Sequence, residues 1–281
     1  MTQPFFMKIP LQESEARLNA FATLRDAARK ITLPLFTDGM HIQNKANGSD
    51  FDPVTNADIE GEKALRLIIQ TLFPDDAIEG EELPDVKGDN DWLWTLDPID
   101  GTRAFVAGVP VWSTLVALSY QGHPVIGMID LPAMRESYMG VTHETQCKAW
   151  RLSDGGHKTS LNTRPCERLL DAVLGCTEPL AMLNHGELAA YNIIRHGTKF
   201  SRLGLDAFGY ALTASGRMDI IIEALLKPCD VRALMPVVQG AGGRVTNWHG
   251  GSPVDGGRIV CVGDARLLPE LYTYLGRAMT P

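Results

Sequence analysis

The chain has 281 residues, a formal net charge of -8 at pH 7 and 44% hydrophobic residues. This composition is typical of a globular protein with a substantial core. The negative charge argues against a nucleic-acid-binding surface, where a basic face is expected, but not against a phosphate substrate, since a bound cation can supply positive charge.

The cysteines and the first ten residues bear on the cellular compartment of the protein. The five cysteines are odd in number and widely spaced, with no C-x-x-C pair, which favours free thiols in a reducing environment. Residues 1–10 lack the basic and apolar regions of a signal peptide, and no apolar run approaches the roughly 20 residues that span a bilayer. We therefore expect a cytoplasmic protein that does not bind membranes.

The first elements are two predicted helices separated by a polar loop. Apolar residues recur at helical spacing over residues 13–36, and the stretch 43–52 is polar and predicts a loop. A second helix begins after Thr55 and runs to about Leu72. Asp58 stands at its third position, so Thr55 and Asp58 resemble a capping box, and a structural role for Asp58 stays open.

The stretch 92–105 carries the strongest pattern in the chain. An apolar run of strand formers ends at Asp97, and Pro98 is expected to stop strand pairing because it has no N–H to donate. Asp100 follows three residues after Asp97, and residues 101–102 predict the start of a short helix. Two carboxylates at a strand end that face a helix N-terminus suit a divalent metal and a phosphate together. An ordinary turn is the alternative.

The other predicted elements mix strands and helices. Strands are predicted at 77–79, 111–120, 124–131, 136–140, 146–152, 172–176, 219–223, 244–246 and 259–262, and helices at 186–194, 206–215, 227–243 and 269–277. The strands between 111 and 152 predict an antiparallel meander, and Pro236 predicts a kink or a late start in its helix. Strands and helices occur in runs and not in strict βαβ alternation, so we predict a layered α+β sandwich.

The domain organisation follows from a change in composition. The sequence becomes looser and richer in glycine from about residue 153. We therefore predict a single domain over 1–281 with two lobes, one over about 1–152 that carries the metal motifs and one over about 153–281 that selects the substrate.

Five acidic residues stand at the ends of predicted elements. They are Asp58, Glu81, Asp97, Asp100 and Asp230. Mg²⁺ prefers oxygen ligands, and two such ions about 3.5–4 Å apart stabilise both the attacking and the leaving oxygen of a phosphoryl transfer. Asp97 is the natural bridging ligand because it is central, at the rigid strand end. No single one of these acids is decisive by itself.

These motifs together resemble the inositol monophosphatase family, in the order in which that family carries them, over residues 45–243. The elements that match are Gly80-Glu81-Glu82, Asp97-Pro98-Ile99-Asp100-Gly101-Thr102, Asp230 and the upstream stretch from Asp52 to Asp58. The resemblance implies an αβαβα sandwich of the inositol monophosphatase and fructose-1,6-bisphosphatase type. It also implies a homodimer, lithium sensitivity and Mg²⁺ as cofactor, with two or three ions per active site.

The resemblance assigns a role to each matching residue. The implied metal ligands are Glu81, Asp97, the Ile99 carbonyl, Asp100 and Asp230. The implied catalytic residues are Asp58 and Thr102, which would hydrogen-bond to each other and activate the attacking water, together with Glu81. The backbone amides of Gly101 and Thr102 would hold the phosphate.

Residues 204–236 resemble the histidinol-phosphatase branch of the family. The implied substrate-binding residues are Asp100, Gly101, Thr102, Gly204, Asp206, Glu223 and Asp230. Asp206 and Glu223 suit the cationic amine or imidazole of histidinol phosphate, whereas in an inositol phosphatase Glu223 would bind a sugar hydroxyl. A helix N-cap is the alternative role for Asp206. Cys229 stands where the family usually has Trp or Tyr, and we expect it to pack and not to act as a nucleophile.

The sequence therefore predicts a Mg²⁺-dependent phosphomonoesterase that acts on a small phosphorylated metabolite. Histidinol phosphate, and hence histidine biosynthesis, is the first expectation, and inositol 1-phosphate is the second. 3′-Phosphoadenosine 5′-phosphate and fructose 1,6-bisphosphate follow. A non-catalytic protein-binding role is the alternative of a different class, and the complete set of metal ligands argues against it. The expected partners are the metabolite and a second copy of the chain, not a nucleic acid.

Overall fold

The computed structural model describes residues 7–38, 42–44 and 53–277. The helices are α1 Leu11–Thr37, α2 Asn56–Leu72, α3 Thr102–Val106, α4 Pro179–Met182, α5 His185–Gly197, α6 Ala207–Ala214, α7 Pro228–Arg232, α8 Leu234–Gly240 and α9 Leu268–Arg277. The strands are β1 Ile42–Asn44, β2 Pro53–Thr55, β3 Ala77–Gly80, β4 Trp92–Asp100, β5 Ser113–Tyr120, β6 His123–Leu131, β7 Glu136–His143, β8 Gln146–Ser153, β9 Lys158–Ser160, β10 Val173–Cys176, β11 Phe200–Leu203, β12 Ile220–Leu226, β13 Arg244–Asn247 and β14 Gly257–Val262.

The strands of the described residues form two large sheets and one small hairpin. The first large sheet has seven strands in the order β3-β4-β5-β6-β7-β8-β9, and only β3 and β4 are parallel neighbours within it. The second has five strands in the order β11-β10-β12-β14-β13, with β10 parallel to both of its neighbours. The hairpin pairs β1 with β2. The predicted antiparallel meander over 111–152 is confirmed as β5 to β8.

The sheets and helices alternate in five layers. Apolar residues of α1 and α2 pack on one face of the seven-stranded sheet, where Phe21, Leu65 and Trp94 share a core. Helices α6 and α8 fill the space between the two sheets. Helices α5 and α9 cover the outer face of the five-stranded sheet. This arrangement confirms the predicted αβαβα sandwich, while the boundary between two lobes near residue 153 stays a prediction.

The close fit of α8 on the first sheet depends on small residues in the strands. A Cβ atom added to Gly140 in β7 would lie 2.1 Å from the carbonyl oxygen of Pro236. The backbone of α8 therefore lies directly on the sheet, which places the preceding helix, α7, against β4 and β5. Through this packing α7 carries Asp230 to the carboxyl end of β4.

The prediction that Pro98 stops strand pairing holds only locally, because the ladder is interrupted at Pro98 and Ile99 and resumes at Asp100. Strand β4 continues to Asp100, and its pairing with β5 shifts register between Asp97 and Asp100. The missing N–H of Pro98 falls within this interruption of the ladder, so no hydrogen bond is lost. The bulge re-aims both aspartates toward one side of the strand end, which a regular strand, with its period of two, does not do.

Several other elements differ from the prediction. The helix predicted over 227–243 is two helices that meet at Ala233, because Pro236 in α8 clashes with the Arg232 carbonyl in a continuous helix. Strands β9 and β11, and the β1–β2 hairpin, were not predicted. Most of the predicted loop over 43–52 lies outside the described residues. No described helix is both long and apolar enough to cross a bilayer, and the five cysteines are free.

Candidate active site

The bulge of β4 fixes the first metal-ligand candidate. The Ile99 N–H donates a 3.0 Å hydrogen bond to Oδ1 of Asp97, and the Thr114 hydroxyl donates to the Pro98 carbonyl at 2.8 Å. Asp97 is only 1% exposed, although its carboxylate faces other acids. The backbone of the bulge therefore holds the Asp97 carboxylate in one orientation, and these contacts include no cationic side chain.

Three carboxylates converge at this point. Single carboxylate oxygens of Asp97, Asp100 and Asp230 lie within 4.8 Å of one another. Oδ2 of Asp100 accepts hydrogen bonds from the Ser113 hydroxyl at 3.1 Å and from the Ala207 N–H at 2.9 Å. These hard oxygen donors, drawn from β4 and α7, suit a divalent cation such as Mg²⁺.

The electrostatics of the three acids support the same interpretation. Burial raises the pKa of Asp97 well above its usual range, and the charges of Glu81, Asp100 and Asp230 add to the shift. Burial and then the charge of Asp206 raise the pKa of Asp100. Burial also raises the pKa of Asp230 to about 6. Without a cation the folded protein holds these acids at a cost, and a divalent ion offsets their repulsion.

This repulsion predicts a pH-dependent response to metal. Carboxyl groups with raised pKa values keep their protons in the folded state, so metal-free stability falls as pH rises from about 4 to about 7. Mg²⁺ binds the deprotonated carboxylates and reverses this loss. We expect Mg²⁺ to raise the melting temperature, measured against EDTA, more at pH 7.5 than at pH 5. Equal increases at the two pH values would contradict the assignment of the acids.

Glu81 joins the site from the loop after β3. Its backbone N–H donates to the Leu96 carbonyl at 3.2 Å, which ties the loop to β4. Its Oε1 accepts a 2.8 Å hydrogen bond from Nζ of Lys227, the residue before α7. The Lys227 ammonium is a cation that the sequence interpretation did not assign to the site.

A buried ion pair on α2 holds the Glu81 loop in place. Glu62 pairs with Arg66 at 2.7 Å and also accepts hydrogen bonds from the backbone N–H groups of residues 82 and 83. Arg66 donates to the carbonyl oxygens of Leu83 and Pro84. The sequence interpretation missed this pair. Its signal was the spacing, because Glu62 and Arg66 follow Asp58 at i+4 and i+8, on one face of the helix.

Removal of the Glu62 charge tests this role. We expect Glu62→Gln to lower the free energy of unfolding by about 3 kcal/mol, because Arg66 loses its partner in a buried position. We also expect a weaker Mg²⁺ affinity, measured by titration calorimetry, because the loop that carries Glu81 loosens. The matched control is Glu60→Gln, which removes an exposed pair with Lys63 on the same helix and should change stability by under about 0.5 kcal/mol. Equal effects of the two variants would contradict the role.

Asp58 and Thr102 are neighbours, as the resemblance implied. The Thr55 N–H and hydroxyl both donate to Oδ2 of Asp58, at 2.8 and 2.6 Å, so the predicted capping box is confirmed. The other oxygen, Oδ1, lies 3.4 Å from the Thr102 hydroxyl. This separation exceeds the usual range for a hydroxyl donor, and the Thr102 hydroxyl donates to the Ile99 carbonyl at 3.1 Å. Asp58 therefore caps α2 with one oxygen and turns the other toward Thr102.

The substrate-side residues line two adjoining cavities. The larger cavity, of about 390 Å³, is lined by Glu81, Gly101, Thr102, Arg103, Ala104, Val109, Thr177, Glu178, Gly204 and Asp206. The smaller, of about 60 Å³, lies deeper and includes Asp100, Asp206, Tyr210, Glu223 and Asp230 in its wall. Asp206 lies in both walls. All the substrate-binding residues predicted from the sequence thus line one or both cavities.

Asp206 lies in an unusual backbone position close to the predicted phosphate cradle. Its φ of 49° and ψ of -143° are strained for a residue with a Cβ atom. A Cβ on Gly101, whose own φ is 80°, would lie 2.9 Å from Cγ of Asp206. Asp206 precedes α6, but its side chain makes no capping hydrogen bond. The helix-cap alternative for the carboxylate is therefore not supported.

Glu223 lies at the floor of the smaller cavity. Its Oε1 accepts from the Thr177 N–H at 2.9 Å and hydroxyl at 2.6 Å, and its Oε2 accepts from the Tyr210 hydroxyl at 2.8 Å. Burial raises the pKa of Glu223, and these donors oppose the shift. Thr177 and Tyr210 are further residues that the sequence interpretation missed, because nothing in their local pattern signals the contact. Protein donors thus fill three of the acceptor positions of Glu223, whereas Asp206 borders the larger cavity.

The chain matches known proteins over most of its length. The model of the inositol monophosphatase family matches residues 13–279. A relative from Arabidopsis thaliana, the chloroplastic bifunctional phosphatase IMPL2, is 38% identical, covering 86% of this chain and 68% of its own. A histidinol-phosphatase from Chlorobaculum parvum is 30% identical, covering 86% and 90%. A solved structure of an inositol monophosphatase from Zymomonas mobilis has a TM-score of 0.79 at 33% identity, covering 95% of this chain and 100% of that one.

Proposed function

The chain belongs to the inositol monophosphatase family of magnesium-dependent phosphatases, and we propose that its substrate is histidinol phosphate. Membership supports hydrolysis of a phosphomonoester, and the cluster of Asp97, Asp100 and Asp230 suits the metal that this chemistry needs. The choice among phosphomonoesters rests on the residues beyond that cluster.

Different residues of the chain have different roles in the hydrolysis. Mg²⁺, when bound, offsets the charge that develops on the phosphoryl oxygens and makes water a stronger nucleophile. The amides of Gly101 and Thr102 hold the phosphate beside the metal ligands. Oδ2 of Asp58 is already engaged by Thr55, so Oδ1, turned toward Thr102, accepts a proton from the attacking water. Glu81 adds a carboxylate on the same side.

The Asp206 carboxylate carries the choice of substrate. Asp206 lines the larger cavity together with Gly101 and Thr102, whose amides would hold the phosphate, and its carboxylate does not cap a helix. Burial and then the charge of Glu223 raise its pKa to about 7, although Arg103 opposes the shift. A cationic ligand stabilises such a carboxylate, and the amine of histidinol phosphate is one. Glu178, a further acid in the cavity wall, adds to the negative potential there.

Inositol 1-phosphate is the second candidate. The donors around Glu223 leave it able to accept one more hydrogen bond, as a sugar hydroxyl would require. The solved relative from Zymomonas mobilis is itself named an inositol monophosphatase. However, a neutral ring gives no reason for Asp206 to occupy a strained position beside Glu223.

A panel of phosphate-release assays tests the proposal. The substrates are histidinol phosphate, inositol 1-phosphate, 3′-phosphoadenosine 5′-phosphate and fructose 1,6-bisphosphate, each with Mg²⁺ and with EDTA. We expect the highest kcat/KM for histidinol phosphate and no turnover with EDTA. A higher kcat/KM for inositol 1-phosphate would overturn the substrate, and no turnover of any ester, with a stoichiometric protein partner in a pull-down, would overturn the enzyme.

Four further properties belong to this proposal. We propose inhibition by Li⁺, which the same assays measure, and a homodimer, which light scattering coupled to gel filtration measures. The free thiols are consistent with a role in the cytoplasm. Histidinol phosphate as substrate would place the protein in histidine biosynthesis.

A further inference from the structure

Arg232, the last residue of α7, makes three hydrogen bonds beyond its own helix. Its Nη1 donates to Oε2 of Glu79 in β3 and, at 3.1 Å, to the Thr95 hydroxyl in β4. Its Nε donates to the Val254 carbonyl, in the loop before β14, at 3.2 Å. The Arg232 side chain is only 11% exposed. These contacts join α7 to two strands of the first large sheet and to a loop of the second.

The partners of Arg232 lie close to the metal-ligand candidates. Glu79 and Thr95 are opposite one another in the parallel pairing of β3 with β4. Each side chain of this ion-pair cluster stands two residues from an acid of the metal site. The three pairs are Glu79 and Glu81, Thr95 and Asp97, and Arg232 and Asp230. A shift of α7 that breaks the contacts of Arg232 therefore displaces Asp230 relative to the acids of the first sheet.

Helix α7 is too short to set its own position. It has five residues, and helices of that length are not stable in isolation, so tertiary contacts determine where α7 lies. The Lys227 N–H donates to Oδ2 of Asp230 at 2.7 Å, which orients the carboxylate within its own turn but not relative to the sheet. The guanidinium of Arg232 supplies hydrogen bonds that reach the sheet itself.

We propose that Arg232 is a positioning residue for Asp230, and that its contacts with β3 and β4 set the Mg²⁺ affinity of the site. A guanidinium suits this role because its planar fork holds several acceptors in a fixed geometry, which a flexible ammonium does not. An ion pair that only stabilised the fold would leave the Mg²⁺ affinity of the folded protein unchanged. The inference rests on the proposed binding of Mg²⁺ by the acids of the site, but not on the choice of phosphomonoester.

Titration calorimetry of the metal-free protein with Mg²⁺ tests the role of Arg232 without any substrate. We expect Arg232→Met, which keeps an apolar stem, to weaken Mg²⁺ binding by about tenfold or more, the size typical of a lost partner around a metal ligand. Arg232→Lys should fall between this variant and the wild type, because an ammonium pairs with Glu79 but lacks the fork. The control is Arg29→Met, which breaks the buried pair with Asp130 from a side chain that is 12% exposed. It should lower the melting temperature and change the Mg²⁺ affinity by less than about twofold.

Glu79→Gln tests the same cluster from its other side and keeps the test decisive if Arg232→Met fails to fold. Glu79 is 39% exposed, so we expect its variant to fold and to weaken Mg²⁺ binding by about threefold. The exposed control, Glu60→Gln, should leave the affinity unchanged. Wild-type Mg²⁺ affinity in Glu79→Gln or in a folded Arg232→Met protein would overturn the inference and leave the proposed function standing. A wild-type protein that binds no Mg²⁺ would overturn the proposed function and this inference together.

Discussion

Replacement of Asp97 by asparagine is expected to abolish Mg²⁺-dependent phosphate release, with a loss in kcat/KM of at least about 10³-fold. Asp97 lies in the cluster with Asp100 and Asp230, beside Glu81, and the bulge of β4 fixes it there. Loss of its charge removes the bridging position, and a 10³-fold change corresponds to about 4 kcal/mol of transition-state stabilisation. Phosphate release over a range of substrate and Mg²⁺ concentrations measures the loss.

Melting temperatures of Asp97→Asn distinguish the loss of a metal ligand from misfolding. Burial and neighbouring acids raise the pKa of Asp97 in the metal-free protein, so its charge costs stability at neutral pH. Asp97→Asn should therefore melt at the same or a higher temperature than the wild type in EDTA, and gain less from added Mg²⁺. The control is Asp130→Asn, which breaks a buried pair with Arg29 and should lose stability but keep its dependence on Mg²⁺. Full activity of Asp97→Asn would contradict the two-metal assignment.

The longer helices and the strands of the meander were predictable because their patterns are local. Residues 13–36 repeat at helical spacing, and the sheet strands β5 and β6 are long apolar runs between turn residues. Strands β9 and β11 are three and four residues long and mostly exposed, so no apolar run marks them. Their existence depends on pairing with a neighbouring strand, which is information that lies elsewhere in the chain.

The acids of the site were predictable for a different reason. Asp97, Asp100 and Asp230 stand where elements end, and a short, distinctive motif ties the first two together. The residues that position them were not predictable from such motifs. Lys227 reaches Glu81 across 146 positions of sequence, and Thr177 reaches Glu223 across 46. Only the packing of α7 and β10 against the other strands brings these partners together.

Asp206→Asn is expected to lower kcat/KM for histidinol phosphate by about 10- to 100-fold. A hydrogen bond to a charged group contributes about 1.5–3 kcal/mol, and each 1.4 kcal/mol is tenfold in rate. Asparagine keeps the size of the side chain and tolerates positive φ, so the backbone at position 206 is preserved while the charge is lost. Kinetics with histidinol phosphate and with inositol 1-phosphate, each at saturating Mg²⁺, measure the change.

The comparison of the two substrates decides what Asp206 does. If its carboxylate binds the substrate's amine, kcat/KM for inositol 1-phosphate should fall by less than about threefold, since its neutral ring forms no charged hydrogen bond there.

The pH dependence of KM gives a second test of the role of Asp206. With a pKa of about 7, Asp206 gains its charge as pH rises from about 6 to about 8. The wild-type KM for histidinol phosphate should therefore fall over that pH range relative to the KM of Asp206→Asn. The variant is the reference because the substrate changes its own protonation equally in both measurements. Glu178→Gln, an exposed acid in the same cavity wall, should change neither substrate by more than about threefold. Equal losses for both substrates in Asp206→Asn would mean that Asp206 supports the shape of the cavity and does not select a cation.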